Sequence, residues 1–435
     1  MASKKTWKWL AGSTVLVVLA TAVFVRLSYA GVGPSDDELI RMTKKAGIPQ
    51  TTEELYPAYK GEPDKNAATY VDKLRDIDNS LKSSTGVEFK ALGDDIDPED
   101  FRVAFETYKP YFSLLEKASE CQAWYPPDRH LRLNFIQAEG EGLSTASDSV
   151  PPDFIVYKLA VQRLSARARL RAKDKDFDGA LADLNRMVKL ADLVGQDPTI
   201  MGLVVDAAYL AVVQTTITKC IEFANKDAKV LAELQNVLES PKPFDYRHFV
   251  MADAATACLF ASHPVTRFVV DADGQDGGRA KVYDSTRWYW APKVVSAWVA
   301  IVKDLDAKPF DAVSAEKTFE KNMVPLVSSH DGRLNGAHVV APQYDQLIVP
   351  IKTLQAKHDL LAVSLTALLT GAPPSVQGTV DPFGGAPYHL VTTSNGWKVY
   401  SVGSDAKDDG GKVGDAGHHD VVFAYDGVHA KLSSR

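Results

Sequence analysis

The sequence predicts a mainly α protein: an irregular helical bundle with an N-terminal transmembrane helix and a small C-terminal antiparallel β module. Three observations carry this. Trp9 to Val25 is an uncharged apolar run, preceded by Lys4, Lys5 and Lys8 and followed by Arg26. Between Leu39 and Thr370 apolar residues recur at helical spacing, segment after segment. After Pro374 the pattern changes to period two with β-branched residues, broken by glycine and acidic residues.

Residues 9–25 lie near the lower limit of a bilayer span, about 17–20 apolar residues. The basic flank keeps the N-terminus cytoplasmic and places the bulk of the chain outside. A cleaved signal peptide is the rival reading, because Ser28-Tyr29-Ala30 supplies small residues at a cleavage position. Arg26 interrupts that arrangement and the run is long for a signal peptide, so an uncleaved anchor is favoured. Both readings export the bulk of the chain. The expected division is residues 1–30 as anchor or signal, 31–340 as helical domain, and 341–435 as a long helix plus β module.

Ser35-Asp-Asp-Glu38 is a capping box opening a short helix from Leu39 to Ala46. Pro49 to Asp64 reads as an irregular connection. Helices follow over Asn66 to Leu81 and from Asp97-Pro98 to Leu115. In the second, Phe101, Phe105 and Tyr108 form a stripe expected in the core. Trp124 to Pro152 has little periodicity and predicts a surface loop. Phe154 to Ala172 carries Lys158, Arg163, Arg167, Arg169 and Arg171, a basic face expected to be solvated. Phe177 to Val194 is amphipathic, Asp197-Pro198 caps a helix to Ala224, and Asp227 to Leu238 forms another. Their hairpin rhythm lacks the fixed period of a repeat array.

Arg247 to Ser262 is helical. Asp271 to Gly278 resembles a calcium loop but places Asp276 and Val282 where an EF-hand needs glycine and glutamate, so a polar surface loop is expected. Trp288-Tyr-Trp290 leads into a helix from Pro292 to Leu305, then come Ala315 to Val327 and Tyr344 to Thr370. Gly371-Ala-Pro-Pro374 terminates the last of these. Strands are expected over Tyr388 to Thr393, Gly396 to Val402, Val421 to Tyr425 and Val428 to Leu432. Asn395-Gly396 and Asp426-Gly427 predict type I′ hairpin turns, with positive φ at both centres.

The net charge of −7 argues against a general nucleic-acid binder, which concentrates basic residues on one surface. Cys121, Cys220 and Cys258 are widely spaced and read as small buried residues. No nucleophile elbow, Walker A loop, dinucleotide fingerprint or zincin motif occurs. His330-Asp331 and His358-Asp359 are neighbours in sequence only, which makes neither a catalytic dyad.

Asp381-Pro-Phe-Gly-Gly-Ala-Pro-Tyr388, then Gly396-Trp-Lys-Val-Tyr-Ser-Val-Gly403, then the acidic run to Asp420 follow a long helix in one order. Together they resemble the C-terminal half of the major pseudopilins of type II secretion systems. They also resemble bacterial envelope proteins that append this module to a membrane-anchored helical region. The likeness covers roughly Tyr344 to Phe423, about a fifth of the chain. The pseudopilin processing motif is absent from the N-terminus, which argues against a pilus subunit. The resemblance implies an aspartate-rich loop that holds calcium, with Asp405 and Asp420 as ligands and Asp409 and Asp415 completing the shell. A mobile, solvated acidic loop is the alternative. His418-His419 suggests a transition metal less well, since neighbours on a strand face opposite ways.

With the resemblance, the expected location is a bacterial inner membrane, single-pass, with the bulk of the chain periplasmic, and the expected function is non-catalytic: an envelope protein that binds or assembles with a protein partner, anchored in the membrane by residues 9–25, with a calcium-stabilised C-terminal module. The alternatives are an exported hydrolase of unrecognised type, or an accessory component of a type II secretion-like system.

Overall fold

The computed structural model describes residues 34–51, 54, 59–85, 98–126, 152–197, 200–242, 246–262, 287–307, 312–329, 334, 344–413 and 420–434. The expected anchor, most of the loop from Trp124 to Pro152, the Asp271 loop, Asp415 and His418-His419 lie outside them.

The fold is mainly helical with one small antiparallel sheet. The helices are α1 (Asp36–Lys45), α2 (Val71–Thr85), α3 (Arg102–Thr107), α4 (Lys109–Ser119), α5 (Pro152–Lys173), α6 (Phe177–Val194) and α7 (Ile200–Ala224). They continue with α8 (Ala228–Glu239), α9 (Tyr246–Ser262), α10 (Arg287–Ala307), α11 (Ala312–Asn322), the single turn α12 (Val324–Val327) and α13 (Tyr344–Thr370). Short 3₁₀ turns at Pro63–Lys65 and Ala67–Tyr70 precede α2, and another at Pro98–Phe101 precedes α3.

Local chemistry accounts for many of these boundaries. Ser35 caps α1, its hydroxyl accepting from the Glu38 amide, while acidic residues fill the first turn and Lys44 and Lys45 the last. Asp176 and Asp227 cap α6 and α8 in the same way. Three expected helices differ. The expected Asp97–Leu115 helix breaks at Tyr108, where Pro110 at the second position of α4 starts a new one. The expected Ala315–Val327 helix breaks at Met323, again just before a proline. By contrast, Pro292 does not begin α10. It lies inside that helix, which starts earlier and takes up the aromatic run, with Trp290 buried.

Two buried clusters organise the chain. The first joins Ala67 to Leu238 with Leu354 to Ala430. The second joins Leu39 and Ile48 of the α1 region with Val250 to Leu334. Leu203, Phe249 and Ile351 make a small third cluster. The helical stretch thus feeds both large clusters, and the C-terminal sheet shares the first.

At the centre of the first cluster is α7, against which α5, α6, α8 and α13 pack. Its Gly202–Ala224 stretch has a mean hydropathy of 1.3, enough by length and composition to cross a membrane, yet 67% of it is buried inside the protein. Burial of most of its surface among neighbouring helices explains the hydrophobicity. Two polar side chains on α7 are matched inside: the Ser165 and Thr216 hydroxyls are 2.6 Å apart, and the Tyr209 hydroxyl donates to the Phe154 carbonyl at 2.6 Å.

The sheet is a meander in the order β1 (His389–Thr392), β2 (Trp397–Ser401), β3 (Val421–Tyr425), β4 (Ala430–Ser433), every pair antiparallel. The central β2–β3 register pairs Val399 with Phe423. The sheet lies on α13 through β2 and β3 and on α7 through β4, which buries Val399, Phe423 and Ala430 completely.

The two hairpin links form where expected but by another mechanism. Neither Asn395 nor Gly396 has positive φ, so the first is not a type I′ turn. It is a four-residue loop in which the Thr393 amide donates to the Gly396 carbonyl and the Gly396 amide to the Thr393 hydroxyl. Gly396 is needed for space, because a Cβ there would stand 1.8 Å from the Tyr425 carbonyl oxygen. In the second link only Gly427 has positive φ, and the Asp426 side chain closes the turn by accepting from the Val428 and His429 amides.

Candidate functional site

The C-terminal turn is built around Asp381. Its carboxylate is buried and accepts from the Phe383 amide (2.9 Å), the Ser401 hydroxyl (2.8 Å) and the Val402 amide (2.9 Å). It therefore staples the Asp-Pro-Phe-Gly turn to the end of β2. Phe383 lies under the Lys352 ammonium, and Trp397 packs tilted on Tyr425 at 4.9 Å.

The acidic loop divides its carboxylates between two tasks. Asp405 and Asp408 serve the loop's own turns. Asp405 accepts from the Lys407 amide at 3.1 Å, with the Lys407 ammonium at 3.9 Å. Asp408 accepts from the Gly410 amide (2.9 Å) and the Tyr400 hydroxyl (3.0 Å), and these bonds, the amide first, hold its carboxyl below the ordinary range. Burial, with Asp408 beside it, pushes Tyr400 up to about 12. His389 stacks on Tyr400 with ring centroids 4.9 Å apart.

Asp420 and Asp409 are the second group. Asp420 is fully buried, its Oδ2 accepts from the Gly411 amide at 2.7 Å, and its Oδ1 has no hydrogen-bond partner among the described residues. Burial raises its carboxyl above the ordinary value against the pull of the Gly411, Asp409 and Lys412 amides, and the charge of Asp409 raises it further. Gly411, at φ +70°, also presents its carbonyl to the Lys398 ammonium at 3.1 Å.

Of the four aspartates expected at a calcium centre, Asp409 and Asp420 thus act on one another, Asp405 is turned to Lys407, and Asp415 lies outside the described residues. No three His, Cys, Asp or Glu side chains among the described residues come together as a metal site. The fit to calcium is partial. A buried carboxylate with a spare oxygen beside a second carboxylate suits a hard cation, and the remaining oxygens must come from elsewhere.

A second feature lies on the helical side. α7, α8 and α13 enclose a cleft of about 160 Å³ whose walls include Leu210, Val213, Leu238, Ile351 and Leu354. His358 lines it and is half-buried. Its Nδ1 lies 3.2 Å from Asp359 Oδ1, which also accepts from Gln355 at 2.7 Å. Asp359 Oδ2 accepts from the Tyr388 hydroxyl at 2.9 Å. The histidine–aspartate neighbours do hydrogen-bond, and their network ties α13 to the residue before β1. Helical spacing made the cleft's apolar walls visible as core positions, but nothing local in the sequence pairs Asp359 with Tyr388, 29 residues on.

The fold and these sites define a mainly helical protein with an integral β-meander, its acidic loop stapled to the sheet. No protein-family model, curated sequence or solved structure matches the chain significantly.

Proposed function

We propose that this chain is a non-catalytic, membrane-anchored protein of the bacterial envelope that binds or assembles with a protein partner, and that calcium sets its C-terminal module. The observation that carries the ion reading is Asp420: a fully buried carboxylate with one unpartnered oxygen, beside the charge of Asp409. Bound calcium supplies positive charge that removes this repulsion. Asp420 and Asp409 would hold it, with Asp405 and Asp415 drawn in as the resemblance to pseudopilins implies. The scaffold reading is supported by the meander's sharing a core with the helices, so that ordering the loop stiffens a wall of the whole protein.

Calcium titration by calorimetry on the full-length chain in detergent tests the ion. The expected result is saturable binding, a lower melting temperature in EDTA, and recovery with calcium. Asp420→Ala should weaken binding most and Asp405→Ala less. A melting curve indifferent to both chelator and calcium removes calcium from the reading.

A further inference from the structure

We propose that Asn395, at the tip of the β1–β2 hairpin, is a site of spontaneous deamidation, gated by the Thr393 hydroxyl. The inference goes beyond the binding reading given above and depends on neither partner nor ion.

The chemistry needs an asparagine amide open to attack and a following main-chain nitrogen able to reach it. The Gly396 nitrogen gives up its proton and bonds to Asn395 Cγ. The side-chain nitrogen takes a proton and leaves as ammonia, which closes a cyclic imide. Water then opens the imide at either carbonyl, giving aspartate or isoaspartate. Water enters, ammonia leaves, and nothing is oxidised or reduced.

Asn-Gly occurs twice in the chain, and Asn335-Gly336 lies outside the described residues. At Asn395-Gly396 the electrophile is open. Asn395 is exposed, and its side-chain amide makes no hydrogen bond among the described residues. Glycine at 396 adds no side chain to shield it. The nucleophile is what the fold restrains: the Gly396 amide donates to the Thr393 hydroxyl at 3.0 Å. That acceptor is an exposed side chain and not a ladder carbonyl, so water replaces it at little cost.

The neighbouring loop has the opposite arrangement. Asp426-Gly427 is open to the same cyclisation, but a carboxyl serves as electrophile only as the neutral acid. The His429 and Val428 amides, helped by the His429 side chain, hold Asp426 down at about 2, so it stays ionised and does not cyclise. Hydrogen bonding thus separates two loops that look equally labile as dipeptides.

Conversion at Asn395 also has a structural consequence. Gly396 is packed against the Tyr425 carbonyl, and a Cβ on it would stand 3.0 Å from Asp426 Cα. Deamidation places a new negative charge on the loop adjoining the ionised Asp426. Isoaspartate further lengthens the main chain just before the point where Gly396 is wedged.

The test ages the full-length chain in detergent at mildly alkaline pH and maps it by mass spectrometry with electron-transfer fragmentation, which tells aspartate from isoaspartate. Both products are expected at 395, with Asp426 unchanged. Thr393→Ala releases the Gly396 amide and should speed conversion about two- to tenfold, the factor carried by one net hydrogen bond. Thr393→Ser keeps the hydroxyl and should convert at the wild-type rate, and circular dichroism checks that both variants stay folded. The same chain unfolded in urea supplies the ungated rate. The proposal is overturned by an intact Asn395 in the folded chain after the unfolded chain has fully converted, by an unchanged rate in Thr393→Ala, or by isoaspartate at 426 before 395.

Discussion

Three residues illustrate how single groups hold the C-terminal module. Replacing Asp381 by alanine removes the acceptor for two backbone amides and the Ser401 hydroxyl, all at a buried site. The expected loss is about 2–4 kcal/mol, read from urea unfolding. Gly396→Ala drives a methyl group into the Tyr425 carbonyl, so β2 and β3 must separate locally. A loss of about 1–3 kcal/mol is expected, and Ala should be no better tolerated than Ser, since φ is not the constraint. Asp420 gives the pH dependence. Its carboxyl is raised in the folded protein, chiefly by burial, so between the ordinary carboxylate pKa and the raised one the folded chain holds a proton that the unfolded chain has lost. Stability in chelator therefore falls as pH rises through that window. Calcium displaces the proton, so its affinity rises with pH over the same window, and pH-independent calcium binding would separate Asp420 from the ion. The sequence made Asp420 and Gly396 conspicuous. Their mechanisms were hidden, because burial of one and the backbone facing the other depend on β3, a strand paired across the loop.

At the scale of elements, α5 shows how a charge pattern misleads. Its arginines were expected on a solvated face. Instead Arg163 is buried, donating to Asp78 at 2.9 Å and stacking near Tyr108 and Tyr111. Arg167 and Arg171, joined by Arg186 of α6 itself, converge on Asp183, which is fully buried on α6, and Arg167 lies over the Phe112 ring. The acids come from α2 and α6, so helical periodicity within α5 carries no trace of them. Asp183→Ala leaves three guanidinium groups around an empty position, and a loss of about 3–5 kcal/mol is expected by chemical denaturation. Asp183→Asn should recover only part of it. Helix and strand placement was otherwise legible: α6 and α13 occur with the expected bounds, because capping residues, glycine–proline punctuation and apolar spacing agree along them. The breaks at Tyr108 and Met323 lie where proline begins the next turn.

For the molecule as a whole, the sheet's position decides what can be removed. A reading from composition places a boundary near residue 340, with a long helix and a β module beyond it. One buried cluster runs through α7, α13 and the sheet. A chain ending after Pro374 would uncover the faces of α7 and α13 that Val399, Phe423 and Ala430 occupy. It should be aggregation-prone and show no cooperative melting, as judged by circular dichroism and solubility. Tyr388→Phe tests the same coupling gently. Without the hydroxyl bond to Asp359, the sheet should lose protection in hydrogen exchange before the helices do, for about 1–2 kcal/mol of total stability. Composition revealed the change of character after Pro374 but not which helices the strands would cover, since that depends on pairings hundreds of residues apart.

The docking of β4 on α7 also imposes an order in time. α7 leaves the ribosome about two hundred residues before β4 does. Its apolar side chains must wait for β4, and until Ala430–Ser433 emerges the nascent chain holds an open seam along α7, the one helix among the described residues apolar enough to span a membrane. Closure of the fold waits on β4, and a chain truncated before that strand would be unable to close.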